Sequence, residues 1–199
     1  MIKYGDRINI AMISMNEEES VKKVIQDIKN IDNRIQVIIV DSSNDKTAEI
    51  AQENGAKVIR QIPAIGYSPA MDLALKSCDR DIIITMDCDD TYPVDKIDLF
   101  SKKIIDDGFD VVDGNRLAEK PQNMPYINFF ANYFFAMMAS ILFLTRIKDL
   151  HSGMRAYKKN IIKRLPYSPK SVSLPVELIL WPLRLRLKVC IIDIPYRER

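Results

Sequence analysis

Short apolar runs that stop abruptly at acidic or amide side chains constrain this chain more than any other feature. Residues 8–13 give way to Met15-Asn16-Glu17, residues 37–40 to Asp41-Ser42-Ser43-Asn44-Asp45, residues 82–86 to Asp87-Cys88-Asp89-Asp90, and Val111-Val112 to Asp113-Gly114-Asn115-Arg116. Uninterrupted runs of this length suit strands buried on both faces. Helical stretches lie between them. Asn16 followed by Glu19 has the form of a capping box ahead of Val21, Val24, Ile25 and Ile28. A second helix is expected to end at Gly55, a third to cover 68–77, and a fourth to start at Pro93 and run to about Gly108, with a brief strand at Val58-Ile59. This alternation predicts an α/β fold with a mainly parallel central sheet flanked by helices. In such sheets ligands bind beyond the carboxyl ends of the strands, so the four polar clusters are expected along one edge and in one cleft.

Beyond Arg116 the pattern changes. Residues 129–144 are almost wholly apolar, and a helix there falls short of the roughly 20 residues needed to cross a bilayer. An interfacial or buried helix over about 126–145 is the better reading: Phe129, Phe130, Tyr133, Phe134 and Phe135 suit a membrane surface, and Arg146 and Lys148 would attract anionic headgroups. The tail reads as a helix over 176–187, bent by Pro182, then a strand over 189–194 stopping at Pro195. A chain of 199 residues fits one domain, divided here into a nucleotide-binding half (1–114) and an acceptor-side half (115–199).

Composition narrows the function. With 47% apolar and 28% charged residues the chain is of ordinary globular type, and a net charge of +2 supplies no basic field that would propose nucleic acid as a partner. Cys78, Cys88 and Cys190 are odd in number and widely spaced, which suits a reducing compartment and no zinc site. The N-terminal residues carry no signal-peptide pattern, so a cytoplasmic location is expected.

Asp87 and Asp89, two carboxylates at i and i+2 leaving a strand, can hold one hard cation shared with diphosphate oxygens. In isolation the same residues equally suit a solvated turn or a helix cap before Pro93. Their context decides otherwise, because an ordered set of residues along nearly the whole chain resembles family-2 glycosyltransferases of the GT-A fold, the group that includes dolichol-phosphate mannose synthases and polyprenyl-phosphate glucosyltransferases. Asn16 and Glu17 resemble that family's first nucleotide-contacting loop. Asp41, Asp45 and Thr47 resemble its Asp-Asp-Gly-Ser-x-Asp-x-Thr segment, with Ser42 and Ser43 standing in place of Asp and Gly. Gly66, Ser68, Ala70 and Ala74 fall on its Gly-x-Gly-x-Ala region, Asp87 and Asp89 on its Asp-x-Asp, and Pro93 on the following Pro. Asn115-Arg116 resembles its Gly-Ser-Arg, and Asp149, Ser152, Gly153 and Arg155 its Asp-x-x-Ser-Gly-x-Arg. Glu177, Ile194-Pro195 and Arg199 resemble its last landmarks.

The resemblance implies an inverting transfer of a sugar from a GDP- or UDP-sugar to a polyprenyl or dolichyl phosphate, dependent on Mg2+ or Mn2+, at the cytoplasmic face of a membrane to which the protein is peripherally attached. It implies that Asp87 and Asp89 bind the metal. Asn16, Glu17, Asp41, Asp45, Gly66 and Asp87 would form the donor site, Asp41 meeting the base or ribose. Asp89 would stabilise the leaving group, and Arg116 and Arg155 would position the acceptor phosphate. Two other readings remain open: a saccharide or protein hydroxyl as acceptor, with Asp90 or Asp149 as base, and a module that binds a nucleotide without turning it over. The single histidine, His151, lies beside Ser152 and Gly153 in an expected turn, and a structural place is expected for it.

Overall fold

A computed structural model describes residues 1–119 and 125–197 of the chain; Arg199 lies outside the described residues. The elements in order are β1 (Ile8–Ser14), α1 (Val21–Ile31), β2 (Gln36–Asp41), α2 (Thr47–Glu53), β3 (Lys57–Arg60), α3 (Tyr67–Lys76), β4 (Ile82–Thr85), α4 (Ile97–Ile105), β5 (Val111–Asn115), α5 (Tyr126–Phe143), β6 (Arg155–Lys158), α6 (Lys159–Ile162), α7 (Leu174–Arg184) and β7 (Val189–Asp193).

The seven strands form one sheet in the order β3-β2-β1-β4-β6-β5-β7. Every neighbouring pair is parallel except the two made by β6, which runs against β4 and β5. Reversal has a consequence for the site: the start of β6 lies at the edge where the parallel strands end, so Arg155 is in register with Thr85 on one side and Asp113 on the other. The two halves expected from sequence thus share a single sheet, since β6 and β7 pair with strands of the first half.

Alternating side chains fill two layers. Ile8, Ile10 and Met12 of β1 pack with Val21, Val24, Ile25 and Ile28 of α1 and with Ile97, Phe100 and Ile104 of α4. Ala11, Ile38, Val40 and Ile83 face Ala70, Met71, Ala74 and Leu75 of α3 and Leu174 and Leu178 of α7. Helices on both faces bury the strands fully, which is why those strands read as continuous apolar runs.

α5 is different. It is 18 residues long with a mean hydropathy of 1.4, long and apolar enough by those measures to cross a membrane, and it spans about 27 Å at about 1.5 Å per residue. Only its Ala136 and Ala139 are buried, in a small cluster with Ile147, Leu150 and Ile179 of α7, while Ile127, Phe130, Tyr133, Phe134, Phe135 and Leu142 are exposed. The helix ends at Leu144, whose left-handed backbone (φ 50°) turns the chain. Ile147 N–H then donates to Ser140 Oγ at 2.9 Å, folding the chain back toward the sheet.

Two local expectations are corrected. No capping box forms at Asn16 and Glu19: α1 starts at Val21, and Asn16 stands in a left-handed conformation (φ 59°) with its side-chain oxygen accepting from Asn44 N at 3.0 Å. The segment after Asp149 contains a strand, β6, that its mixed sequence Arg-Ala-Tyr-Lys concealed.

Candidate active site

β1 and β4 lie side by side at the centre of the sheet, and the chain leaves them in opposite directions, to β2 on one side and toward β6 on the other. Strand ends diverge at such a point and leave a crevice. A cleft of about 320 Å³ opens there, lined by residues including Met15, Glu17, Ser42, Gly66, Tyr67, Asp87 and Asp89. Three of the four polar clusters therefore meet as expected.

The loops around this cleft are tied to one another. Glu17 N–H donates to Thr47 Oγ1 at 2.8 Å, Asn16 N–H to Ser43 Oγ at 2.8 Å, and Asp45 Oδ1 accepts from Thr47 N and Oγ1 at 2.9 and 2.5 Å. Burial works to raise the Asp45 carboxyl, but the Thr47 and backbone donors outweigh it and hold it below its ordinary value. Asn16 and Asp45 are thus fasteners between the loops that follow β1 and β2. Across the cleft, the Ser20 hydroxyl lies 2.8 Å from Cys88 O and 3.1 Å from a Glu17 carboxylate oxygen, connecting the start of α1 to the loop after β4.

Asp41 is fully buried rather than facing the cleft. It accepts from Ser14 Oγ and Ser43 Oγ, each at 2.6 Å, from Ser43 N–H at 3.2 Å and from Arg60 Nη1. The cleft is lined by its neighbour Ser42. Asp41 thus lies beneath the 42–47 loop and supports it from below.

Asp87 and Asp89 are both half-buried and both line the cleft. Thr91 orients Asp89, donating from Oγ1 at 2.7 Å and from N–H at 3.2 Å to Oδ1. Cys88 between them points inward, 3.8 Å from Met12 Sδ, and burial pushes its thiol well up, so it acts as packing. Among the described residues no group of three or more His, Cys, Asp or Glu side chains converges; the acidic side chains that line the cleft are Glu17, Asp87 and Asp89.

Gly153 abuts this pair. A side chain there would lie 3.0 Å from Asp87 Oδ2 and 3.0 Å from the Tyr92 hydroxyl, and Gly153 N–H donates to that hydroxyl at 2.6 Å. Thr85 Oγ1 closes the arrangement by donating to Gly153 O at 2.7 Å. Any larger residue there would press on the Asp87 carboxylate and the Tyr92 hydroxyl and require them to shift.

The two arginines part company. Arg155 is fully buried, Nε donating to Asp113 Oδ1 at 2.5 Å, Nη2 to Leu150 O at 3.1 Å and Nη1 to Pro175 O. Buried, with three of its five N–H groups engaged, it forms an internal strut between β5, β6 and the start of α7. Arg116 pairs with buried Asp149 through Nε (2.7 Å) and Nη2 (3.1 Å), and its guanidinium carbon lies 5.3 Å from the centre of the Tyr196 ring. His151 is exposed, and its backbone N–H donates to Asp149 at 2.9 Å. Glu177 accepts from Ser168 N–H at 2.8 Å, fixing the loop before α7.

Tyr67, Tyr92 and Tyr196 are site residues that motif reasoning did not single out. Tyr67 lines the cleft; burial and the nearby Asp87 charge push its phenol up to about 12, while Arg155 and Arg116 pull it down. A lone tyrosine beside a motif glycine carries no sequence signal of its own.

The description "Glycosyl transferase family 2" matches residues 9–165, most of the chain, including every cluster described above. The chain belongs to glycosyl transferase family 2. It is 38% identical over 195 residues to a protein of Haloferax volcanii named dolichyl-phosphate hexose transferase, covering 98% of this chain and 84% of that one. A Pyrococcus furiosus dolichol-phosphate mannosyltransferase is 26% identical over 87% of this chain and 52% of its own length. Among solved structures, Mycobacterium tuberculosis glucosyl-3-phosphoglycerate synthase in complex with Mn2+, uridine diphosphate and glucosyl-3-phosphoglycerate superposes with a TM-score of 0.74 at 21% identity, over 99% of this chain and 74% of that chain. At that identity the likeness shows the GT-A fold. As a family-2 member the chain is a glycosyltransferase.

Proposed function

We propose that this glycosyltransferase moves a sugar from a nucleoside-diphosphate sugar, with GDP or UDP as the nucleotide, to a polyprenyl or dolichyl phosphate, with inversion. The observation that carries the reading is a groove of about 730 Å³ lined by Asn115 and Leu117, the chain neighbours of Arg116, by Tyr133, Met137 and Ile141 of α5, and by Arg146, Lys148 and Asp193. Its lining joins polar and charged side chains, among them Arg146 and the Lys148–Asp193 pair, to the apolar wall of α5, which suits a polar head on a long hydrocarbon. The name of the Haloferax volcanii relative supports the same acceptor class.

Donor binding falls to the cleft between β1 and β4. Two carboxylates at i and i+2 fit a magnesium or manganese ion that completes its oxygen shell with diphosphate and water. Asp87 and Asp89 would hold it, and when bound it supplies neutralisation of the charge that develops on the leaving diphosphate. Thr91 fixes Asp89, Ser42 and Met15 wall the nucleotide side, and Asn16, Asp45 and Asp41 keep the loops in shape for it. Residues up to 114 serve the donor and those beyond it the acceptor.

A phosphate acceptor is already ionised near neutral pH and needs orientation more than proton removal. Arg116, fixed by Asp149, is assigned that task. The same geometry disfavours a hydroxyl acceptor. Burial tends to raise Asp149, but its hydrogen bonds and ion pair with Arg116 outweigh this and hold it below its ordinary value, which makes it a poor base. Asp90 is engaged by Lys23 at 2.7 Å.

The exposed aromatic and aliphatic side chains of α5, with Arg146 and Lys148 at its end, fit peripheral attachment to the cytoplasmic face of a membrane, the helix lying in the interface. Transfer of radiolabelled sugar to polyprenyl phosphate tests the reading, run beside glycans and peptides as hydroxyl acceptors. Product on the hydroxyl acceptors alone would overturn it, and binding of nucleotide without turnover of any donor would favour a non-catalytic module.

A further inference from the structure

The segment after β7 crosses from one side of the active site to the other. Ile194 N–H donates to Asn115 O at 3.0 Å, and three residues later Arg197 N–H donates to Thr91 O at 2.9 Å. Its two anchors are thus the residue before Arg116 and the residue that orients Asp89. Between them Tyr196 is half-buried against the core, its ring meeting that of Tyr92 edge-on, with centroids 5.2 Å apart and planes at 70°. The other neighbour of the ring is Arg116, whose guanidinium carbon lies 5.3 Å from its centre.

Arg116 is therefore held by two restraints of different kinds. Asp149 fixes two of its nitrogens by hydrogen bonds, and the Tyr196 ring gives a charge–quadrupole contact in a site where the arginine side chain is only 11% exposed. Asp149 alone would permit the guanidinium to pivot about the carboxylate; an aromatic ring at its side removes that freedom. Tyr92, through its hydroxyl, receives Gly153 N–H beside Asp87, so the Tyr196 ring stands between Arg116 and a residue packed beside the donor carboxylates without touching them.

We propose that Tyr196 is a positioning residue for acceptor binding: its ring fixes Arg116 in the orientation that meets the acceptor phosphate, and the 194–197 segment sets the distance between Arg116 and the Asp87–Asp89 loop. This rests on the assignment of Arg116 to the acceptor. A ring is what the contact requires, so phenylalanine should serve and leucine should not.

The test uses the full chain with undecaprenyl phosphate in phosphatidylglycerol vesicles as acceptor, and compares Tyr196→Phe, Tyr196→Leu, Arg116→Ala and the Tyr196→Leu/Arg116→Ala pair. Acceptor KM is measured together with the Kd of the donor nucleotide in the presence of manganese. Loss of a desolvated cation–π contact predicts an acceptor KM about tenfold higher for Tyr196→Leu. Donor Kd should stay within about twofold, Tyr196→Phe should behave as wild type, and adding Tyr196→Leu to Arg116→Ala should cause no further rise. Equal damage to donor Kd and acceptor KM, or a Phe variant as impaired as the Leu variant, would overturn the positioning role in favour of a purely structural one. If Arg116→Ala raises acceptor KM and Tyr196→Leu does not, the proposal for Tyr196 fails alone. If neither does, or no sugar reaches this acceptor, the assignment of Arg116 fails and takes the proposal with it.

Discussion

Arg116 and Asp149 form a bidentate pair, Nε to Oδ2 at 2.7 Å and Nη2 to Oδ1 at 3.1 Å, with the aspartate side chain fully buried. The pair ties the turn after β5 to the loop before β6, elements that meet only because β6 is antiparallel in an otherwise parallel sheet.

That pairing gives stability a pH dependence of known sign. The folded Asp149 carboxyl is held below its ordinary value, so its contribution is present above the unfolded pKa of about 3.9 and is lost as pH falls through the folded value. Asp149→Asn leaves Arg116 without its charge partner and should cost about 3 kcal/mol at neutral pH. Urea unfolding from pH 6 to pH 2.5 checks both: wild type should lose stability at the acid end more steeply than the variant.

Asp89→Asn should leave the fold intact, because Asp89 lies at the cleft surface and outside the core clusters. Donor affinity should fall by about tenfold or more, from loss of one charged oxygen of a two-carboxylate site, and should cease to respond to manganese. Calorimetry with the metal titrated in, and again after chelation, reads this directly. An unchanged manganese response would remove Asp87 and Asp89 as the cation site.

Asp41→Ala is expected to act first on stability. Removing a buried carboxylate that accepts from Ser14, Ser43 and Arg60 should cost about 2–3 kcal/mol, the lower part of the range for buried pairs because Arg60 is 40% exposed. Weaker nucleotide binding should accompany it through the 42–47 loop, without metal as well as with it. Thermal unfolding beside nucleoside-diphosphate calorimetry separates the effects; full stability with lost affinity would return Asp41 to direct contact.

How much of this was legible in the sequence depended on how locally each feature was encoded. β1, β2 and β4 were readable because burial on both faces demands continuous apolar runs, and the cleft followed because Glu17, Gly66, Asp87 and Asp89 stand directly after strands or before a helix. β6 was hidden: Arg155 is charged, yet it opens a buried strand because Asp113, 42 positions away in sequence, supplies the counter-charge. The same long-range pairing sets where Asp41 and Arg155 lie. A motif says which residue is present, whereas its burial is set by Arg60 in one case and by Leu150 and Pro175 in the other.

The exposed face of α5 should bind membranes. Phe134 and Phe135 are 52% and 54% exposed, and replacing either by serine should weaken partition into phosphatidylglycerol vesicles about fivefold, from roughly 1 kcal/mol of apolar burial each. Co-sedimentation over a lipid titration gives the coefficients; variants that sediment like wild type would place the contact elsewhere.

The central claim is that a lipid-linked phosphate, oriented by Arg116, receives the sugar. The direct measurement is radiolabelled transfer from UDP-glucose and GDP-mannose to polyprenyl phosphate in vesicles, with wild type and Arg116→Ala side by side and donor Kd determined for each. We expect wild type to label the lipid and Arg116→Ala to lose transfer by about tenfold or more with donor Kd preserved. Full lipid labelling by Arg116→Ala, or labelling of hydroxyl acceptors in place of the lipid phosphate, would contradict it.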